Sequence, residues 1–292
     1  MNHPEKSHMR LWYFFALWML MLPPALVASG CSRDLEVLQP TRRADSPSLD
    51  YENLSAVLKA GVGQAGLLDP KALGESSDAL EAQLAMFAIT GPTASPGLFC
   101  TGQPSTPSEK IADDELAYWY NARTAWAIRL AMDQSSPDRQ DTAAINSRRF
   151  RLDGRVMTLE QIDRILAGDG DWRVLLASPG TCPCRAKIPD KPFASAGVRG
   201  QLAGRINELL ADDERVRINI ARRRLEVPQV VWDSRNRIID EHVRSYGSVN
   251  PTLITALLPH AAGKAKRKLQ DATGYEVVPI RKCPGTLPKI DD

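Results

Sequence analysis

Twenty residues, Asp113–Met132, constrain the fold more than any other stretch of this chain. Asp113, Asp114 and Glu115 open the segment, where carboxylates favour the positive end of a helix. Leu116, Trp119, Tyr120, Trp126, Ala127 and Leu130 then give it a wide apolar surface at helical spacing. Such a helix is central, and the rest of the chain is arranged to cover it.

The flanking sequence supplies the cover. Leu54, Val57 and Leu58 begin one helix, and Leu73, Leu80, Leu84 and Phe87 mark another over 70–89. The stretch 90–107, rich in proline and glycine, is a long loop that holds Cys100. Within 149–157, Asp153-Gly154 sits between alternating residues, the pattern of a two-residue hairpin turn. Thr158 and Gln161 have capping-box spacing and open a helix through about Leu166. The apolar run 172–177 reads as a buried strand that leads into Ser178-Pro-Gly-Thr-Cys-Pro-Cys-Arg185. Val198, Leu202, Ile206 and Leu209 define a helix over 195–211. Val216, Ile218 and Ile220 alternate as a strand, with 225–227 as its partner. Helices over 235–246 and 251–261 and a last strand at 275–280 complete an α+β reading: helices packed on a small, mostly antiparallel sheet in a single domain over 51–292.

What precedes that domain sets its address. Arg10 ends a short polar, basic start, an apolar run follows from Leu11 to Val27, and small residues lead into Cys31. This is the order of a secretory signal, and Pro23-Pro24 interrupt a run already short for a membrane span. Val27-Ala28-Ser29-Gly30-Cys31 resembles a bacterial lipoprotein signal. The resemblance implies removal of 1–30, acylation of Cys31 and a lipid bilayer as partner. Each buried acyl methylene contributes about 0.8 kcal/mol, so several chains hold a protein at a membrane firmly. Ser32, where an inner-membrane retention signal carries Asp, favours the outer membrane. Residues 31–50 are polar with two prolines and read as a flexible tether. The 262 residues that remain carry 35 basic and 34 acidic side chains, a balance that argues against nucleic acid as partner.

Beyond Cys31 the chain holds Cys100, Cys182, Cys184 and Cys283, an even set in an oxidising compartment, which makes all four disulfide candidates. A bond between Cys182 and Cys184 would close a strained ring around Pro183. Separate ties to Cys100 and Cys283 are the alternative. No second closely spaced ligand pair exists, so no metal is expected, and no cofactor motif is present.

Two segments resemble the family called domain of unknown function 547. Leu116-Ala-Tyr-Trp-Tyr-Asn-Ala-Arg-Thr-Ala-Trp-Ala-Ile128 is similar to its aromatic helix, and 158–165 with 172–185 is similar to its later helix, strand and Cys-Pro loop. Arg123-Thr124 stand where that family has Tyr-Asn, its strand histidine has no counterpart, and Cys184 is an addition. The resemblance implies a fold and a set of positions, and no reaction. Those positions suggest Asn121 as a hydrogen-bond partner of the Cys182 loop, and Arg123 with Arg185 as an anion pocket. Cys182 or Cys184 could serve as a nucleophile if His242 or His260 came within reach, or the pair as a redox couple. With the catalytic set incomplete, the leading expectation is a cell-envelope binding or interaction module with a protein or small-molecule partner. A thiol-dependent hydrolase or redox protein is the alternative. The basic clusters Arg222-Arg-Arg224 and Lys264–Lys268 read as solvated charge, with anionic head groups as an alternative target.

Overall fold

The computed structural model describes residues 36–44, 46–63, 66–99, 110–133, 142–181 and 184–280. In the first half, β1 (Val37–Leu38) is followed by α1 (Glu52–Gly61), α2 (Pro70–Glu75) and α3 (Ser77–Ile89). Then come α4 (Asp113–Met132), α5 (Thr142–Ser147), the strands β2 (Arg149–Leu152) and β3 (Arg155–Met157), α6 (Leu159–Gly168) and α7 (Trp172–Ala177). The second half runs through α8 (Val198–Ala211), β4 (Arg217–Asn219), β5 (Arg224–Val227), α9 (Gln229–Asp233), α10 (Arg235–Tyr246), α11 (Leu253–Leu257), α12 (Gly263–Asp271) and β6 (Glu276–Pro279). The class is α+β. In place of the single, mostly antiparallel sheet expected, its strands form two small mixed sheets, each with one antiparallel and one parallel pairing: β1-β2-β3 and β4-β5-β6.

Helix α4 is the axis of the larger core. Residues 116–128 are buried without interruption, so the helix is covered on every side and its polar members must be satisfied internally. Thr124 donates to the Tyr120 carbonyl at 2.8 Å, and the Tyr118 and Tyr120 hydroxyls donate to the carbonyls of Thr90 and Val174, each at 2.6 Å. Burial pushes the Tyr118 and Tyr120 hydroxyls up, so both remain donors. Trp126 stacks on Phe150 of β2 at 4.3 Å between ring centroids.

The hairpin forms as its sequence requires. Asp153 and Gly154 both have positive φ, 54° and 69°, as a type I′ turn needs. The turn also docks on the end of α3: Asp153 and Gly154 donate their N–H groups to the Phe87 and Ala88 carbonyls at 2.9 Å. The buried Asp153 carboxylate accepts from the backbone of Thr93 and Ala94. Thr158 and Gln161 make both bonds of the capping box at the start of α6.

Expectations for several segments are corrected. Residues 172–177 form helix α7 rather than a strand. The run is short enough to suit either period, and Asp171 decides it by accepting the Arg173 N–H as N-cap at 2.9 Å. The helix expected over 70–89 is broken at Ser76, which ends α2 and begins α3. The segment from Val37 to Asp50, expected as tether, lies on the domain. β1 pairs in parallel with β2, Thr41 N–H donates to Glu81 at 2.7 Å, and Ser48 N–H donates to Thr90 at 3.2 Å. The remaining tether residues, 31–35, and the proposed signal lie outside the described residues, as does the stretch 100–109 of the long loop.

A second core gathers Trp172 and Leu176 of α7, the inner faces of α8 and α11, Leu269 of α12, and Leu225 and Val227 of β5. Lys268, expected in a solvated cluster, is instead buried. Its ammonium donates to the carbonyls of Ala211 and Val216 at 3.1 and 3.0 Å and meets Asp213 at 2.8 Å, so it caps the end of α8. Arg223 lies over the Tyr275 ring and Arg224 pairs with Glu276 at 2.8 Å, which joins the other basic cluster to β6. Among the described residues, no helix is long and apolar enough to cross a membrane.

Candidate functional site

Arg123 and Arg185 do come together, around a carboxylate that fills the place of an anion. Asp163, on α6, accepts from Arg123 Nε at 2.8 Å and Nη2 at 3.2 Å, and from Arg185 Nη2 at 2.5 Å. Burial pushes the Asp163 carboxyl up, but the two guanidinium charges and the Arg123 bond outweigh it and hold it below its usual range. Arg123 Nη1 also donates to the Pro179 carbonyl. The loop is fixed again by Gly180 N–H, which donates to Ala186 at 3.0 Å. Gly180 is required here: a Cβ would stand 2.9 Å from the Arg185 side chain. The hollow beside Gly180, Cys184 and Arg185 holds about 10 Å³, room for one water at most. The expected anion pocket is therefore an internal ion-pair lock.

The sulfur chemistry is likewise constrained. Cys184 is disulfide-bonded, which leaves it without the thiolate that a nucleophile needs. Cys31, Cys100, Cys182 and Cys283 lie outside the described residues. Neither histidine lines the hollow at Cys184. His242 Nε2 is hydrogen-bonded to Ser248 Oγ at 3.1 Å and its ring packs on Tyr246, while His260 sets its edge against Trp172. Burial, then the Arg173 charge, push the His260 imidazole down toward its neutral form. Among the described residues, no cluster of His, Cys, Asp and Glu could hold a metal ion.

Asn121 binds a different segment from the one expected. Its amide donates to the Phe193 carbonyl and accepts the Phe193 N–H, both at 2.8 Å. This closed pair fixes Lys187-Ile-Pro-Asp-Lys-Pro-Phe-Ala194, already stiffened by Pro189 and Pro192, and Tyr120 packs on the Phe193 ring at 4.7 Å. That segment is one wall of a cleft of about 1500 Å³. The facing wall is the end of α1 with Val62, Gly63, Gly66 and Leu67, α8 contributes Gly204, Arg205 and Glu208, and residues 211–215 with Lys264 close one end. Gly66, at φ +71°, lets the two walls meet: a Cβ there would come within 2.7 Å of Lys187.

Arg205 is the unusual group in this cleft. Its side chain is 10% exposed and lies over the Phe193 ring at 5.8 Å. Nη2 donates to the Lys187 carbonyl, Nη1 reaches Glu208 only at 3.5 Å, and the buried Nε has no hydrogen-bond partner among the described residues. An unsatisfied buried donor costs about 1–3 kcal/mol, more when charged. Burial pushes this guanidinium down, the exposed Glu208 offsets that only in part, and Arg215 adds to the depression.

Sequence reasoning placed Asn121, Arg123 and Arg185 among the functional positions and missed Asp163, Phe193 and Arg205. The Pro189–Phe193 stretch and the mid-helix Gly204 beside Arg205 were the available signals, since glycine inside a helix is unfavourable unless space or contact needs it. No family model, curated protein or solved structure matches the chain.

Proposed function

We propose that the protein is a binding module of the cell envelope, anchored to a bilayer, preferably the outer membrane, through acylated Cys31, and that the cleft lined by 187–194 and Arg205 receives its partner. One contrast carries this reading. The groups around Cys184 that could do chemistry are bonded to one another, with room for one water. The cleft, by contrast, is larger than the roughly 300–1,000 Å³ common for ligand pockets and keeps a poorly paired arginine. Relation of 116–128 and 158–185 to domain of unknown function 547 belongs to the same proposal and adds no reaction to it.

The test places a photo-activated cross-linking residue at Gly204, on the cleft floor, and at Gly200, one turn earlier on α8. A Cβ meets nothing within 4 Å at either site. Discrete adducts in the membrane fraction from position 204, without the same adducts from position 200, are expected. Identical adducts from both positions, or none from 204, would count against a cleft-borne partner.

A further inference from the structure

We propose that Arg205 anchors an oxyanion subsite in the cleft, and that its ligand is a monocarboxylate with an apolar body. The proposal rests on the reading of the cleft as a binding site and specifies what that site takes.

The arginines of comparable burial set the standard. Arg123, Arg185 and Arg215 have side chains 1%, 16% and 8% exposed, and each meets a carboxylate at 2.8 Å or closer. Arg205, at 10%, has only the 60% exposed Glu208 at 3.5 Å. Two other carboxylates, at the closed end, are already engaged. Asp212 is held by Arg215 at 2.6 Å and Lys187 at 3.2 Å, and Asp213 by Lys264 and Lys268 at 2.5 and 2.8 Å. Each Nη of a guanidinium carries two N–H groups, and the contacts to Glu208 and to the Lys187 carbonyl account for one on each. The remaining donors suit the planar fork of a carboxylate.

Charge and shape narrow the class. Six cationic side chains and five carboxylates line the cleft, so a single negative charge balances it and a phosphate dianion would not. The apolar surface open to a ligand is Leu67, 44% exposed, with the half-buried Pro189 and Pro192 of the opposite wall, which is kept stiff because the buried Phe193 is held by Asn121. A ligand that sets its carboxylate on Arg205 covers these surfaces with an apolar body.

The test follows the Arg205 Nε–Hε resonance of the full chain in detergent micelles. The probes are N-acetyl-leucine, standing for a peptide carboxyl terminus, and hexanoate, standing for a free acid. Their neutral amides and inorganic phosphate serve as comparisons. Saturable shifts at Arg205 and Phe193 with at least one carboxylate are expected, weakened about tenfold or more for the matching amide and for phosphate. Arg205→Met should abolish them, and Arg205→Lys should weaken them because an ammonium lacks the fork. Gly204→Leu, whose side chain enters open space, should block the site in a folded protein. Amides that bind the cleft as well as the acids overturn the oxyanion subsite and leave the cleft reading standing. Phosphate binding more tightly than either acid overturns the monocarboxylate class. Silence of every cleft resonance to every probe defeats both readings.

Discussion

Replacing Asp163 by Asn tests whether the Arg123–Asp163–Arg185 lock holds the 178–186 loop to the central helix. The carboxylate is 13% exposed and Arg123 is 1% exposed, so little solvent is available to take over when the charge is removed. Breaking a buried pair from one side leaves the other charge uncompensated and costs about 3–5 kcal/mol. Here two guanidiniums lose the carboxylate they share, so the upper part of that range applies. At roughly 2–4 °C per kcal/mol for a protein of this size, thermal unfolding should fall by about 10 °C or more. The dependence on pH identifies the cause. A carboxyl held below its ordinary value of 3.8 contributes stability that is fully present above that value and is lost as pH falls through the lower folded-state value. Circular-dichroism melts should therefore show a constant gap between wild type and Asp163→Asn from pH 8 to about pH 5, closing only below the usual carboxylate range. A gap of less than about 1 kcal/mol at neutral pH would refute the lock, since that is the worth of an exposed pair. A gap that already narrows between pH 7 and pH 5 would refute the sign of the shift.

Five further outcomes are expected. Gly204→Ala should raise stability by about 0.5–1 kcal/mol in denaturant melts, because a helix-interior glycine is replaced where a Cβ meets nothing within 4 Å; a loss would mean that the space is not open. Lys268→Met keeps the stem but leaves the Ala211 and Val216 carbonyls without their donor, and should cost about 1–3 kcal/mol by the same measurement. Gly154→Val forces a β-branched residue to φ 69° at the hairpin turn and should cost about 1–2 kcal/mol, whereas no change would argue against a type I′ turn. Cys31→Ala should abolish metabolic lipid labelling and release the chain from membranes, and the unreduced protein should give no titratable thiol at Cys184.

Local signals were legible wherever neighbours in sequence decide the outcome. The acidic start of α4, the capping box of Thr158 and Gln161, and Asp153-Gly154 each fix their element within a few residues, and each appears where expected. The errors fall where a distant partner or a single cap decides. Val37–Leu38 has little apolar pattern of its own and becomes a strand because β2 presents an open edge to it. Residues 172–177 satisfy the strand period through buried Trp172, Val174 and Leu176, and only the Asp171 cap selects the helix. The basic run 264–268 looked solvated because nothing local shows that α8 ends beneath Lys268 with carbonyls to be capped.

The same distinction explains why the candidate site was half visible. Asn121 and Arg123 stood out as polar residues inside an aromatic helix, a local anomaly. Two residues apart on a helix they point about 200° apart, so they serve different segments: Arg123 holds Pro179 and Asp163, and Asn121 holds Phe193. One buried helix therefore fixes both the closed loop around Cys184 and the open wall of the cleft. If so, Asn121→Ala should loosen the 187–194 wall alone: faster amide exchange at Phe193, with protection at Gly180 retained. Asp163→Asn should do the reverse. Loss of protection at both segments in either variant would mean that the walls move as one unit, and the division of labour along α4 would be wrong.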